Sequence, residues 1–198
     1  VIPWPHVPAH IVQLNDGRML TWAAATADDF NLSAPNNTVA AIYDNRNGSF
    51  VQTPNPRQNM FCAGICRTID GKTMAVGGGA ATVLTNNTWT SGGDNRVRRW
   101  YPTAVTLPNG NIFTTLGSSD LGLSELWSPN SNVWTPIWPT DLAPVISDFK
   151  RFSPEDYEWY PWLHVAPNGK LFLSGPTDNF YWIDPNGAST NNVAFAGA

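Results

Sequence analysis

Few side chains in this sequence could carry out catalysis or bind a metal. Its histidines are His6, His10 and His164, and its cysteines are Cys62 and Cys66. Although His6 and His10 are four residues apart, the neighbouring prolines rule out a helix that would place both rings on one face. We therefore expect wall or surface residues there, and a packed or hydrogen-bonded His164. The sequence contains no Ser-His-Asp signature, phosphate-binding loop, dinucleotide-binding glycine motif or His-Glu-x-x-His motif.

Cys62 and Tyr101 differ from these residues because each belongs to a segment that leads into an apolar run and a tight turn. Both are expected on the innermost strand of successive structural repeats. By residue type alone, a free cysteine is a small buried hydrophobic residue and a tyrosine before proline is a packing residue. If Cys62 and Cys66 share a strand, they are roughly 13 Å apart, beyond the roughly 7 Å limit for a disulfide.

The elements that would position these residues are β-hairpins, which recur four times. Each copy contains an apolar run, an Asp-Gly or Asn-Gly pair, a second apolar run and then small residues. These pairs tolerate the positive φ angles of type I′ turns, so each copy is predicted to be a hairpin. The turns are centred at 16–17, 70–71, 109–110 and 168–169. Their spacings of 54, 39 and 59 residues match the kelch repeat, whose period is about 50.

Aromatic residues in the second half of each unit favour a β-propeller. They occur where an outer strand would begin, at Tyr43, Trp89, Trp127 and Trp182. In two units a second aromatic lies seven positions later, at Phe50 and Trp134, and is predicted to face the first across an outer hairpin. We therefore predict an all-β fold, a kelch-type β-propeller over residues 1–198 with about four blades present. A sandwich or barrel of ordinary antiparallel hairpins is the alternative.

Composition agrees with this fold. The 198 residues include 16 Gly, 17 Pro and 20 Asn, as turn-rich blades require. Only 13% are charged and the net charge is −4, so no nucleic-acid partner is expected, and no apolar stretch is long enough for a membrane span.

Insertions at 26–38 and 139–158 are expected to be loops, the second with a helical turn near 153–156. The chain ends just after the fourth blade turn, with no sign of a closing strand.

Two motifs together resemble the mononuclear copper-radical oxidases, the galactose oxidase and glyoxal oxidase group. They are Phe-Cys-Ala-Gly at 61–64, followed by a hairpin and Gly-Gly, and Arg-Trp-Tyr-Pro-Thr at 99–103. The similarity runs over nearly the whole chain and includes 160–170, a stretch typical of the glyoxal-oxidase-like branch. That family is built on a seven-bladed kelch propeller. The resemblance implies that about four of seven blades are present and that the C-terminal blades and any C-terminal domain are absent.

The resemblance also implies a specific chemistry. In the family the matching Cys and Tyr form a thioether crosslink, so Cys62 and Tyr101 would be the catalytic pair, with Tyr101 as copper ligand and radical site. Sulfur conjugated to the ring lowers the oxidation potential of the phenol, and radical and copper together accept two electrons. A small aldehyde or primary alcohol would be oxidised, and dioxygen reduced to hydrogen peroxide. The remaining copper ligands would come from the missing C-terminal part or from another chain.

Two features of galactose oxidase are not matched. Ser118 and Ser119 stand where that enzyme has the Trp that stacks on the crosslink, so protection of the radical would come from elsewhere, for example Trp100. The position of its sugar-binding Arg falls in 155–158, which reads Glu-Asp-Tyr-Glu. A small aldehyde or alcohol is therefore expected rather than galactose.

Family members are secreted, so the resemblance implies an extracellular protein. Four Asn-x-Ser/Thr sequons could carry glycans, at Asn31, Asn36, Asn47 and Asn86. Two other functions stay open. One is a catalytically silent kelch propeller with a structural role outside the cell, and the other is a glycan-binding module that presents loops such as 139–158.

Overall fold

The structure is a computed structural model that describes residues 2–28, 37–78, 80–94, 99–117, 124–137, 142–152, 159–186 and 193–197. In these ranges sixteen strands form four antiparallel sheets, each built from four consecutive strands in chain order. The first sheet contains β1 (His10–Gln13), β2 (Met19–Trp22), β3 (Ala40–Asp44) and β4 (Ser49–Gln52). The second contains β5 (Gly64–Arg67), β6 (Thr73–Gly77), β7 (Ala80–Thr85) and β8 (Thr88–Ser91). The third contains β9 (Thr103–Thr106), β10 (Ile112–Thr115), β11 (Ser124–Ser128) and β12 (Val133–Ile137). The fourth contains β13 (Leu163–Val165), β14 (Leu171–Leu173), β15 (Phe180–Ile183) and β16 (Val193–Gly197). The predicted all-β fold of repeated hairpin units is confirmed.

Successive sheets pack face to face around their first strands. β9 contacts both β5 and β13, so the first strands of the last three sheets are neighbours. Three apolar clusters fill the spaces between consecutive sheets. Trp22 and Met60 belong to the cluster between the first two, Met74 and Ile112 to the next, and Phe113 and Leu171 to the last. This is the arrangement of consecutive blades of a propeller, in which each blade buries both faces.

The four predicted hairpins are present, but their turn type differs from the prediction. Type I′ turns need positive φ at both central residues, and the Asp or Asn before each glycine is not among the residues with positive φ. Only the glycine has it, with φ of +86° at Gly17 and +80° at Gly71. Pairing of the Leu14 amide with the Arg18 carbonyl (2.7 Å) closes a three-residue loop. The turn that does match type I′ is Asn86–Asn87, whose φ angles are +49° and +62°.

The outer-strand aromatics pair as predicted. Tyr43 lies opposite Phe50 on β3 and β4, and Trp127 lies opposite Trp134 on β11 and β12.

One expectation about the C-terminal half is wrong. Within the insertion at 139–158, α1 (Ala143–Phe152) is a helix rather than a loop, because its apolar side packs into the cluster between the third and fourth sheets through Val145. The helix is also held by its Asp148 carboxylate, which accepts a hydrogen bond from the Tyr181 hydroxyl. The helical turn expected near 153–156 lies outside the described residues. The last strand, β16, completes the fourth sheet by pairing with β15. No helix in the described part of the chain is long and apolar enough to cross a membrane.

Candidate functional site

Cys62 and Tyr101 occupy equivalent places in neighbouring sheets. Cys62 lies just before β5 and Tyr101 just before β9. The sequence predicts both residues on the first strand of their sheets, but the structure places them immediately before it. Tyr160 takes the same place before β13. These three residues each precede the Asp or Asn of the following hairpin turn by eight positions. The repeat therefore brings a thiol and two phenols to the same end of three adjacent sheets.

The structure brings the predicted pair into contact. The Tyr101 amide donates a hydrogen bond to the Cys62 carbonyl oxygen at 2.8 Å, and the Tyr101 side chain lies close enough to the thiol to lower the pKa of Cys62. Cys62 is 1% exposed, and burial raises the pKa of its thiol, although the nearby Tyr101 phenol acts in the opposite direction. Cys62 is therefore a neutral thiol held beside a phenol.

The first sheet fixes the segment that carries Cys62. The Trp22 indole donates to the Met60 carbonyl at 3.0 Å, and the His10 ring, stacked on Trp22 with centroids 4.9 Å apart, is hydrogen-bonded to the Phe61 carbonyl at 2.5 Å. Burial lowers the pKa of His10, partly offset by this hydrogen bond. The uncharged ring is thus a packing element, as expected for a wall residue.

Glycines allow an unusual backbone at Tyr101. Its φ is +61°, a left-handed conformation that costs a non-glycine residue about 1–2 kcal/mol. Neighbouring backbones approach it closely: a Cβ atom on Gly64 would lie 2.6 Å from the Pro102 carbonyl oxygen, and one on Gly117 would lie 2.6 Å from the Trp100 carbonyl oxygen. Such strain, held in place by close packing from two sheets, is typical of functional positions.

The Tyr101 ring is covered by an indole from the fourth sheet. Trp159 stacks on it with centroids 4.0 Å apart and an interplanar angle of 30°. Tyr160 meets the same ring edge-on at 5.5 Å, and its amide donates to the Tyr101 carbonyl at 2.7 Å. Burial, followed by the proximity of Cys62 and Tyr101, raises the pKa of Tyr160. Four oxidisable side chains therefore form one cluster.

Sequence reasoning did not identify Trp159, although a signal exists. The triplet Trp-Tyr-Pro occurs at 100–102 and again at 159–161, and both tyrosines have positive φ. The expected substitute, Trp100, lies on the Tyr101 segment itself, whereas Trp159 reaches Tyr101 from the next repeat. Ser118 and Ser119 lie outside the described residues.

The remaining candidates have structural surroundings. Cys62 and Cys66 are both free, and Cys66 is buried between the second and third sheets, where burial raises its pKa to about 12. His6 is hydrogen-bonded to the Thr21 hydroxyl at 3.1 Å, and burial lowers its pKa. His164 is hydrogen-bonded to Ser174 at 3.0 Å. Within the described ranges no group of three or more His, Cys, Asp or Glu side chains is arranged to hold a metal.

A cleft borders the cluster. Residues of β1, β5 and β9 line it together with Tyr160, and its volume is about 290 Å³. Of the four cluster residues, Tyr160 is the one that lines this cleft.

Comparisons with known proteins agree with the fold and the motifs. No protein-family model matches the chain. Galactose oxidase of Gibberella zeae is 27% identical over 201 residues, which cover 94% of this chain but only 29% of that enzyme. A solved fungal alcohol oxidase of the AA5 family, in complex with copper, superimposes with a TM-score of 0.86 at 23% identity, covering 98% of this chain and 42% of the other. Virginiamycin B lyase from Staphylococcus aureus superimposes with a TM-score of 0.60 at 11% identity, covering 99% and 57%. The predicted propeller fold and the resemblance to galactose oxidase are confirmed, and the chain spans less than a third of the curated relative's length.

Proposed function

We propose that this chain, a relative of the copper-radical oxidases, supplies the crosslinked Cys-Tyr part of the active site of a copper oxidase. The whole enzyme would oxidise a small aldehyde or primary alcohol with dioxygen and release hydrogen peroxide. The observation that carries the proposal is the contact between Cys62 and Tyr101. Their backbones are joined by a hydrogen bond of 2.8 Å and the phenol lies close enough to the thiol to lower its pKa, and both residues belong to the motifs that carry the resemblance to the family.

The pair suits the formation of a thioether. The thiol S–H bond and one ring C–H bond would break and a C–S bond would form, releasing two protons and two electrons. Dioxygen takes up both and becomes hydrogen peroxide, so the reaction balances. Cys62 is buried, and the backbone hydrogen bonds made by the Tyr101 and Tyr160 amides hold the backbone that carries the Tyr101 ring.

In turnover the chain's own residues would accept one electron from the substrate and limit which molecules reach the site. The Tyr101 oxygen is the proposed copper ligand, and its sulfur-substituted ring, once oxidised to the radical by dioxygen, would accept one of the two electrons that the substrate loses. Bound copper would supply the second one-electron acceptor. The two electrons and two protons of the substrate would end on dioxygen, which becomes hydrogen peroxide. Trp159 covers one face of the ring, and the cleft beside Tyr160 admits a small substrate.

The other copper ligands are proposed to come from the rest of the protein or from another chain. The described residues contain no three-residue His, Cys, Asp or Glu group that could take this role. Secretion also belongs to the proposal. Asn47 and Asn86 lie in exposed turns where glycans could be attached, while Asn31 and Asn36, like residues 155–158, lie outside the described residues.

The test is peptide mapping of the full-length protein after exposure to copper and dioxygen. We expect one peptide that joins residues 62 and 101, resists reducing agents and lacks two hydrogen atoms relative to the separate peptides. Cys62→Ser should abolish both this peptide and hydrogen peroxide production. Cys66→Ala is the matched control, because Cys66 is a second buried thiol that does not contact Tyr101, and it should keep both. Separate peptides in the wild-type protein would overturn the oxidase proposal in favour of a catalytically silent propeller.

A further inference from the structure

We propose that Arg99, through its buried ion pair with Glu125, is the positioning residue that holds Tyr101 against Cys62. The catalytic consequence rests on the proposed function, whereas the positioning itself does not. Neither the motif chemistry nor the cluster around Tyr101 requires a charge at residue 99, so the pair needs a separate explanation.

Arg99 is bound to the third sheet by its side chain. One guanidinium nitrogen of Arg99 lies 3.4 Å from the Glu125 carboxylate on β11, and another donates to the Leu116 carbonyl at 3.2 Å. Both charged side chains are 0% exposed. A fully buried ion pair contributes little net stability, because the loss of hydration offsets the attraction between the charges. A role in fixing geometry is therefore a better explanation than stability.

The backbone of the same segment is bound to the second sheet. The Arg99 carbonyl accepts a hydrogen bond from the Gly78 amide at 2.6 Å, and the Tyr101 amide donates to the Cys62 carbonyl at 2.8 Å. Residues 99–101 thus connect the second and third sheets. The Arg99 side chain is bound to the third sheet, and the backbone of the segment is bound to the second. The distance between Cys62 and Tyr101 depends on this connection.

The left-handed backbone of Tyr101 makes such an attachment necessary. At φ +61° the residue relaxes to a different backbone conformation unless its neighbours prevent it. Arg99 is two residues away and its guanidinium group is planar, so bonds to Glu125 and Leu116 fix its orientation as well as its position. Rotation of the 99–101 segment would move the Tyr101 ring away from the thiol.

The experiment separates positioning from stability by comparing single and double variants of the full-length protein. Arg99→Met leaves the Glu125 carboxylate buried without its guanidinium partner, which destabilises the fold. Arg99→Met/Glu125→Met removes both charges, and stability is expected to return toward the wild-type value, because apolar replacements of buried pairs are often neutral or stabilising. Ile112→Val is the control, since Ile112 is buried between the same two sheets.

Two readouts are taken at a temperature where each variant is folded. Hydrogen exchange at the Tyr101 and Gly78 amides needs no copper, and both should exchange about tenfold faster in the double variant. Formation of the peptide linking residues 62 and 101 should be about tenfold to a hundredfold slower, which is the effect expected from small misplacement of reacting groups. Ile112→Val should match the wild type in both. Arg99→Lys keeps the charge but not the planar contact with two acceptors, so its crosslinking rate should lie between those of the double variant and the wild type. If Arg99→Met does not fold, the comparison of Arg99→Lys with the wild type tests the inference.

The two readouts distinguish failure of the positioning role of Arg99 from failure of the proposed oxidase function. If the wild type forms no crosslink but the two amides exchange faster in the double variant, the oxidase proposal fails and the positioning role stands. If a folded double variant shows wild-type exchange and wild-type crosslinking, Arg99 is not a positioning residue and this inference is overturned.

Discussion

Tyr101 has an unusual set of neighbours for a propeller residue. A buried thiol lies close to its side chain, an indole covers its ring at 4.0 Å, and its own backbone is left-handed. The two side chains that contact Tyr101 come from different segments. Cys62 immediately precedes the second sheet, and Trp159 precedes the fourth. The site is therefore a product of repetition, because equivalent positions in adjacent repeats meet at one end of the sheets.

Replacement of Trp159 tests whether its indole protects an oxidised Tyr101. In copper-loaded, crosslinked full-length protein, Trp159→Leu should shorten the lifetime of the tyrosyl radical by up to about tenfold, since a stacked aromatic pair contributes about 0.5–1.5 kcal/mol. The decay is followed by electron paramagnetic resonance. Trp162→Leu is the control, because Trp162 lies on the same segment but is 57% exposed. Equal lifetimes in the two variants would show that the stacked indole has no protective role.

The same cluster shows what a single sequence could predict about the site. Cys62 and Tyr101 can be proposed as a pair from sequence because their motifs are specific and lie in the same repeat position. Trp159 was missed because no local pattern says which ring a side chain will cover. Its contact depends on the turn at Tyr160, whose positive φ is a rare property for tyrosine and cannot be assigned from residue type. Arg99 belongs to the motif at 99–103, but its burial against Glu125 depends on a strand 26 residues further along the chain.

At the scale of elements, hairpins were predictable and their turn geometry was not. Asp-Gly and Asn-Gly mark both type I′ turns and three-residue loops with a final left-handed glycine, and the strand register decides between them. Here pairing of Gln13 with Met19 leaves room for the longer loop. The segment Ala143–Phe152 does have the apolar spacing of an amphipathic helix. A pattern of ten residues is short, however, and the helix also depends on the burial of residues such as Val145 against the sheets beside it.

Two glycines with the same φ separate backbone strain from close packing. Gly117 and Gly169 both have φ +80°, but a Cβ on Gly117 would lie 2.6 Å from the Trp100 carbonyl oxygen, whereas one on Gly169 would have no atom within 4 Å. Gly169→Ala should lower the free energy of unfolding by about 1–2 kcal/mol, the cost of a left-handed alanine. Gly117→Ala should lower it by about 1–3 kcal/mol more, because the neighbouring backbone must move.

Urea unfolding of the two glycine variants provides these values, and crosslink formation provides a second comparison. Because the backbone that must move carries Tyr101, Gly117→Ala should also slow formation of the link to Cys62, while Gly169→Ala should leave it unchanged. If Gly117→Ala and Gly169→Ala lower the free energy of unfolding equally, the backbone around Trp100 moves without a free-energy penalty and is not tightly packed.

At the scale of the whole molecule, tryptophans connect one sheet to the next. The Trp89 indole on β8 donates to the Thr53 carbonyl in the connection between the first and second sheets, at 2.9 Å. The Trp134 indole on β12 donates to the Gly92 carbonyl in the connection between the second and third, also at 2.9 Å. These two residues hold the same position on the last strand of their sheets. Trp89 and Trp134 thus have a common structural role: each indole is buried between neighbouring sheets and satisfies a carbonyl of the connecting chain.

This role predicts unequal effects for two tryptophans that face each other on the third sheet. Trp134→Phe removes the donor of the buried Gly92 carbonyl and should lower the free energy of unfolding by about 1–3 kcal/mol, the cost of leaving a buried polar group unsatisfied. Trp127→Phe removes a bond of similar length, 3.0 Å, but its acceptor is the Asn132 side chain within the same sheet. That amide can turn to solvent, so the loss should be only about 0.5–1.5 kcal/mol. Both substitutions remove the same volume, and urea unfolding of the full-length protein measures the difference. A loss for Trp127→Phe as large as that for Trp134→Phe would show that the contact between blades has no special weight, and that the tryptophans stabilise the sheets one by one.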